Sequence, residues 1–213
     1  MVIDQISRKY PDHSILSEEG SKLRNNADYT WVCDPIDGTI PFSHSVPTCM
    51  FSLALVTDGK PIVAATFDPF LDRMFTAIKG HGAFLNNKKI HVSNELFNQH
   101  SIIGNGLWHK SPYPIDHVIN TINIKYNSIC MNLESIVYMG MLVGLGEFVA
   151  TIYSSIYAHD VAAIKLIVEE AGGLVTDIKG NDQRYDQNIQ GAIISNGVVH
   201  DELIRLVHED IKS

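Results

Sequence analysis

Residues 31–39 read Trp-Val-Cys-Asp-Pro-Ile-Asp-Gly-Thr. An apolar run that passes into two aspartates, parted by Pro35 and Ile36, and then meets Gly38 and Thr39 reads as a buried strand closed by a turn. The strand delivers Asp34 and Asp37 together to its carboxyl end. Two carboxylates in a dry site repel each other unless a cation lies between them, so the segment calls for a water-facing turn or a divalent metal.

The flanking sequence builds an α/β scaffold around this segment. Val2, Ile3 and Ile6 share one face of a short helix that stops before Pro11, and residues 14–20 form a short strand running into Glu18 and Glu19. Residues 48–70 read as a hairpin turning at Asp58-Gly59-Lys60, followed by further antiparallel strands with turns at Gly80/Gly82 and Asn86-Asn87. Residues 101–107 give another strand, 113–126 a helix carrying Ile115, Val118, Ile119 and Ile122, and 135–146 a short buried helix. Residues 159–173 predict the strongest helix, with Val161, Ile164, Ile167, Val168 and Ala171 on one stripe, Asp160 at the N-cap and Gly172-Gly173 as the stop. Two strands and an amphipathic helix over 200–211 close the chain. Strands first, then helices and strands alternating, predict layered sheets and helices. The 213 residues form one domain, a metal-site and antiparallel-sheet half over 1–100 and an α/β half over 101–213.

Charge narrows the partners. With 24 acidic against 16 basic residues the formal net charge is −8, and no Lys/Arg cluster occurs, which argues against a nucleic-acid or anionic-membrane surface. Cys33, Cys49 and Cys130 are scattered in apolar runs and read as reduced thiols of a cytoplasmic protein. There is no run long enough to span a bilayer and no leader-like segment.

Four acidic elements remain: Glu18-Glu19, Asp34, Asp37 and Asp160. Glu18-Glu19 alone is an ordinary solvated turn, and Asp160 alone an ordinary cap for unpaired helix N–H groups. Taken with Asp34 and Asp37, they match what magnesium takes: a few hard oxygen ligands, with positions left for water and substrate phosphate. His44, His81, His91 and His109 lack ligand spacing and read as loop histidines. Trp31 and Trp108 read as packing residues, Glu169-Glu170 as structural or solvated, and the Gly80/Gly82 segment as a turn, not a nucleotide loop.

The blocks at 17–20, 31–39 and 159–173, in that order, resemble the inositol monophosphatase family of metal-dependent phosphatases, which also takes in fructose-1,6-bisphosphatases and nucleotide bisphosphate phosphatases. The hairpin region 51–90 resembles the family too, so the likeness covers nearly the whole chain. It implies an α-β-α-β-α sandwich and a Mg2+-dependent phosphomonoesterase acting on a small sugar or polyol phosphate, such as an inositol monophosphate. It also implies that Glu18, Asp34 and the carbonyl of Ile36 hold one metal ion, and Asp34, Asp37 and Asp160 a second. Gly38 and Thr39 would offer amides to the phosphate, Thr39 and Glu18 would orient the attacking water, and Tyr153 and Asp160 would face the substrate. A pair of ions stabilises the entering and leaving oxygens of an in-line displacement, without a covalent enzyme intermediate.

Three departures accompany the resemblance. The family usually carries a pair of N-terminal helices and a hairpin before the first acidic block, and only the tail of the second helix is read here. The expectations are a sheet with an open apolar face, a homodimer, and loss of the acidic partner of Thr39. His159 stands where relatives have tryptophan. Tyr153 falls where inositol-specific members place a glutamate, which weakens the case for inositol itself. Alternative substrates are fructose-1,6-bisphosphate or a nucleotide 3'-phosphate, and the rival reading is a non-catalytic family member acting through interactions.

Overall fold

The structure, a computed structural model, describes residues 2–106, 111–113 and 115–211. Trp108 and His109 lie outside the described residues. The first half of the chain runs α1 (Val2–Lys9), β1 (Ser14–Ser17), β2 (Tyr29–Asp37), α2 (Thr39–Ser43), β3 (Met50–Thr57), β4 (Lys60–Asp68), β5 (Arg73–Ile78), β6 (Ala83–Leu85) and β7 (Lys88–Lys89). These seven strands lie side by side in chain order, β1 parallel to β2 and the rest antiparallel. Local chemistry sets the turns. Asp58 and Gly59 both have positive φ, 48° and 75°, as do Asn86 and Asn87, at 45° and 66°. These are the two-residue hairpin connections whose backbone twist suits the flanking strands. Lys60, read from sequence as part of the first turn, is instead the first residue of β4, paired with Thr57.

The second half runs β8 (Ile102–Gly106), α3 (Asp116–Tyr126), β9 (Ile129–Met131), α4 (Ile136–Gly144), β10 (Ala150–Tyr153), a 3₁₀ turn (Ala158–Asp160), α5 (Ala162–Glu170), β11 (Leu174–Thr176), β12 (Ala192–Ser195) and α6 (His200–Ile211). Its five strands form a mixed sheet in the order β11-β12-β10-β8-β9. One core lies between the seven-stranded sheet and α4 and α5, where Val32, Ala54, Ala64 and Phe75 meet Met139, Ile164 and Ile167. The second lies where Ile103, Ile152 and Ile193 of the other sheet meet Val118, Ile122, Leu203 and Leu206 of α3 and α6. The layers are therefore sheet, helices, sheet, helices, with α1 beside the β1–β2 end of the first sheet.

Two expectations change. The segment 159–173 does not present a single apolar stripe: every residue of α5 from Ala162 to Val168 is buried, because the helix is sandwiched between two sheets. Nor does Asp160 cap it. The N-cap is Val161, and Asp160 ends the preceding 3₁₀ turn. Strands β9 and β10 and helix α2 went unread in the sequence. β10 (Ala-Thr-Ile-Tyr) is buried at every position and too short to show a period.

On the first sheet, one face packs on α4 and α5. On the other, Trp31, Leu55, Val63 and Ile78 are successive neighbours across β2 to β5, and Leu53, Ala65 and Thr76 follow in the next row. Val63, Met74 and Ile78 are exposed, so this face is apolar and open, as the sequence predicts. Tyr10 packs at a tilt against Trp31 with ring centroids 5.6 Å apart, at the end where α1 lies.

The join between α5 and β11 tolerates no side chain at Gly173. A Cβ there would lie 2.4 Å from the Ser195 carbonyl oxygen and 2.7 Å from Val168 Cγ1. Gly173→Ala should therefore destabilise the fold by about 1–3 kcal/mol through overpacking. Urea denaturation reads this directly, and an unchanged midpoint would show that the α5–β11 junction is looser than described.

Candidate active site

In a regular strand, residues three apart point to opposite faces, so Asp34 and Asp37 should not meet. Strand β2 solves this with a bulge. Asp34 pairs with Ser52 and Asp37 with Met50, so three steps on β2 match two on β3. The extra residue lies at Pro35-Ile36, and a bulge is a position where proline's missing N–H is tolerated within a sheet. The strand is thus not ended by a turn at Pro35-Ile36-Asp37-Gly38, as read from sequence, but continues through the bulge to Asp37.

The two aspartates are then met from two other directions. Ser17 pairs with Cys33 in the parallel β1–β2 ladder, which carries Glu18 alongside Asp34. From the second half of the chain comes the 3₁₀ turn bearing Asp160, tied to β3 by the Ser52 hydroxyl donating to the His159 carbonyl at 3.5 Å. Asp34, Asp37 and Asp160 each present an oxygen within 4.8 Å of the others. Glu18 is exposed and lines the same cavity outside that cluster. The cavity encloses about 650 Å³. Gly38, Thr39, Ile36, Tyr153 and His159 also line it, with Ser135, Ser155, Tyr157 and Asn188, none of which the sequence had singled out.

Gly38 is the one glycine here whose conformation is required. Its φ is 88°, and a Cβ would lie 2.9 Å from the Thr48 carbonyl oxygen and 3.0 Å from Ser135 Cβ. It caps α2, whose first residue, Thr39, is exposed to the cavity.

Hydrogen bonds fix each carboxylate. The Ile36 N–H donates to Asp34 Oδ1 at 2.9 Å. Asp37 Oδ2 accepts from the Val137 N–H at 2.8 Å and from the Ser135 hydroxyl. Ser135 is at the same time the N-cap of α4, accepting from the Tyr138 N–H at 3.2 Å. The Tyr153 hydroxyl donates to Asp160 Oδ2. His159 lies with Nε2 3.5 Å from Asp160 Oδ1, and its ring stacks on Tyr157 at 5.3 Å.

These bonds do not offset the electrostatic cost of the cluster. Burial, and then the charges of Asp37, Asp160 and Glu18, raise Asp34 far above the usual carboxylate range. Burial, followed by the charge of Asp37, raises Asp160, opposed by the Tyr153 bond. Burial raises Asp37 as well, opposed by Ser135 and Val137. Burial holds His159 low, at about 4, so it brings no positive charge at neutral pH. Among the described residues lining the cavity there is no lysine or arginine. Three crowded oxygens without a cation fit a divalent metal's hard-oxygen requirement.

A sequence profile of the inositol monophosphatase family matches residues 1–212. The chain belongs to the inositol monophosphatase family. Among its relatives, the fructose-1,6-bisphosphatase/inositol-1-monophosphatase of Thermotoga maritima is 32% identical over 100% of this chain and 80% of its own length. A protein of Xylella fastidiosa named Nus factor SuhB is 35% identical, over 85% of this chain and 66% of its own. The structure of an inositol monophosphatase from Anabaena (Nostoc) superposes with a TM-score of 0.88 at 28% identity, over 98% of this chain and 83% of that one. The layered sandwich is thus the family's fold.

The raised values have a definite sign for stability. Each aspartate holds its proton more tightly folded than unfolded, so between the unfolded range near 4 and the raised folded values the native state binds more protons. Stability therefore falls as pH rises through that window. In chelator, the thermal midpoint should drop from pH 4 toward pH 8, and Mg2+ should restore it. Asp34→Asn, which keeps the acceptor for Ile36, should raise the chelated protein's midpoint at the upper end and flatten the profile. A midpoint indifferent to pH and to Mg2+ would contradict the buried, repelling cluster.

Proposed function

We propose that this chain is a Mg2+-dependent phosphomonoesterase that hydrolyses a small sugar or polyol phosphate. The observation that carries the reading is the buried triad of Asp34, Asp37 and Asp160 in a substrate-sized cavity, with no cationic side chain among its described lining residues. Magnesium bound there would supply the positive charge and Lewis acidity that the triad lacks. The chain's own residues then have separable tasks. Asp34, Asp37 and Asp160, with Glu18 at the rim and the carbonyl of Ile36, hold the ions. The N–H groups of Gly38 and Thr39, at the start of α2 where helical amides have no intrahelical acceptor, meet the phosphate oxygens. Glu18 and the Thr39 hydroxyl would orient the attacking water, with the Glu18 carboxylate as the group able to take its proton. Asp160 would serve both an ion and the substrate, and Tyr153 lines the cavity beside it. Ser155, Tyr157 and Asn188 offer hydroxyl and amide groups to a polyhydroxylated leaving group.

The double name of the Thermotoga relative supports a sugar or polyol monoester without choosing between inositol and fructose phosphates. The relative named Nus factor SuhB supports a second reading, in which the chain acts through interactions and not turnover. The retention of Glu18, Asp34, Asp37, Thr39 and Asp160 at one cavity favours the enzyme. The open apolar face of the first sheet supports a homodimer. Three free cysteines, Cys33 and Cys49 buried and Cys130 half-buried, support a cytoplasmic setting. Among the described residues no helix is long and apolar enough to cross a membrane.

Phosphate release from inositol, fructose, nucleotide and aryl phosphates, with and without Mg2+, tests the proposal. Release is expected to require Mg2+ and to fall at least 100-fold, on the scale of a lost charge-stabilising group, in Asp34→Asn. No release from any substrate by the folded protein would favour the interaction reading. Light scattering at high concentration should give twice the 23.7 kDa chain mass.

A further inference from the structure

The Ile36 N–H donates to Oδ1 of Asp34, the Ser135 hydroxyl and the Val137 N–H donate to Oδ2 of Asp37, which the Ile136 N–H also approaches, and the Tyr153 hydroxyl donates to Oδ2 of Asp160. With Oδ2 of Asp160 turned to the hydroxyl, its other oxygen is the freer one for a cation, which it then meets through one atom. That mode suits Mg2+, which is small, octahedral and keeps several waters. It suits Ca2+ less, because Ca2+ takes more oxygens and often grips a carboxylate through both.

The three engagements differ in what enforces them. Those on Asp34 and Asp37 include backbone amides of the β2 bulge and of the first turn of α4, and cannot be released without unfolding those elements. The one on Asp160 rests on a single side-chain hydroxyl. Tyr153 is 1% exposed and its ring belongs to the core between the first sheet and the middle helices, so the hydroxyl is held in place by packing. It stands on β10, paired with Gly106 and Ala192, seven residues before the carboxylate it serves. On the other side, His159 Nε2 is 3.5 Å from Oδ1 and does not close that oxygen.

We propose that Tyr153 is a positioning residue that restricts Asp160 to single-oxygen ligation and thereby biases the site toward Mg2+ over Ca2+. This rests on the reading that the three aspartates hold divalent cations. The residue placed by resemblance at the substrate thus acts first on the metal ligand.

Tyr153→Phe removes the hydroxyl and keeps the ring. Calorimetric titration of the unaltered protein and the variant with MgCl2 and with CaCl2, without substrate, reads the consequence. The ratio of Ca2+ to Mg2+ affinity should rise about 10-fold in the variant, the lower end of what a lost outer-shell partner costs in metal affinity. Infrared difference spectra of the unaltered protein give a second reading that needs no substitution. Added Ca2+ should leave the Asp160 carboxylate stretches with single-oxygen separation, assigned by comparison with Asp160→Asn. An unchanged affinity ratio in a folded variant, equal weakening of both cations, or a two-oxygen signature in the unaltered protein would each overturn the proposal. Failure of the unaltered protein to bind either cation would overturn the metal reading itself, and the proposal with it.

Discussion

Asp34, Asp37 and Asp160 repel one another in a site largely closed to water, and each is raised in pKa by its burial and by charged neighbours. A fold that gathers three such groups gives up stability at neutral pH unless a cation joins them. The local architecture is arranged around that tension. The bulge in β2, the N-terminus of α4, the 3₁₀ turn before α5 and the hydroxyl of Tyr153 each direct or brace one carboxylate, and they come from segments a hundred residues and more apart.

The bulge is the smallest device with the largest effect. Without one additional residue at Pro35-Ile36, Asp37 would project from the opposite face of the sheet to Asp34, and no metal could meet both. Gly38 follows at positive φ and starts α2, so that Gly38 and Thr39 come directly after the paired carboxylates. A strand, a break in its register and a short helix thus form a continuous site over six residues.

The remaining layers supply rigidity. α4 and α5 are covered on both sides by sheets, which is why α5 is apolar around its circumference from Ala162 to Val168 apart from Lys165, whose ammonium is satisfied by Glu169 and the Val175 carbonyl. Glu170 leaves the same helix to accept the N–H groups of Gly80 and Gly82, clamping the β5–β6 turn to the middle layer. The motif glutamates at the end of α5 are therefore structural, one of the two roles read from sequence. His44, His81 and His91 lie exposed, in keeping with loop histidines.

Asp34, Asp37, Asp160, Glu18 and Thr39 were legible in the sequence because their residue types, turn chemistry and order are local properties of short segments. The hairpins at Asp58-Gly59 and Asn86-Asn87 were legible for the same reason: two residues with positive φ define the connection without help from the rest of the chain. Other features were decided by tertiary structure alone. Ser135 is an unremarkable N-cap serine until α4 packs beside β2 and its hydroxyl meets a carboxylate 98 residues earlier. That Asp160 arrives on a 3₁₀ turn and not as a helix cap was decided there too, and Tyr153 has the look of a core tyrosine until its hydroxyl is seen to end on Asp160. Sequence specifies which groups are available and how the chain turns nearby. Which oxygen of a carboxylate is occupied, and which is left for a cation, depends on donors that only packing between distant segments brings into place.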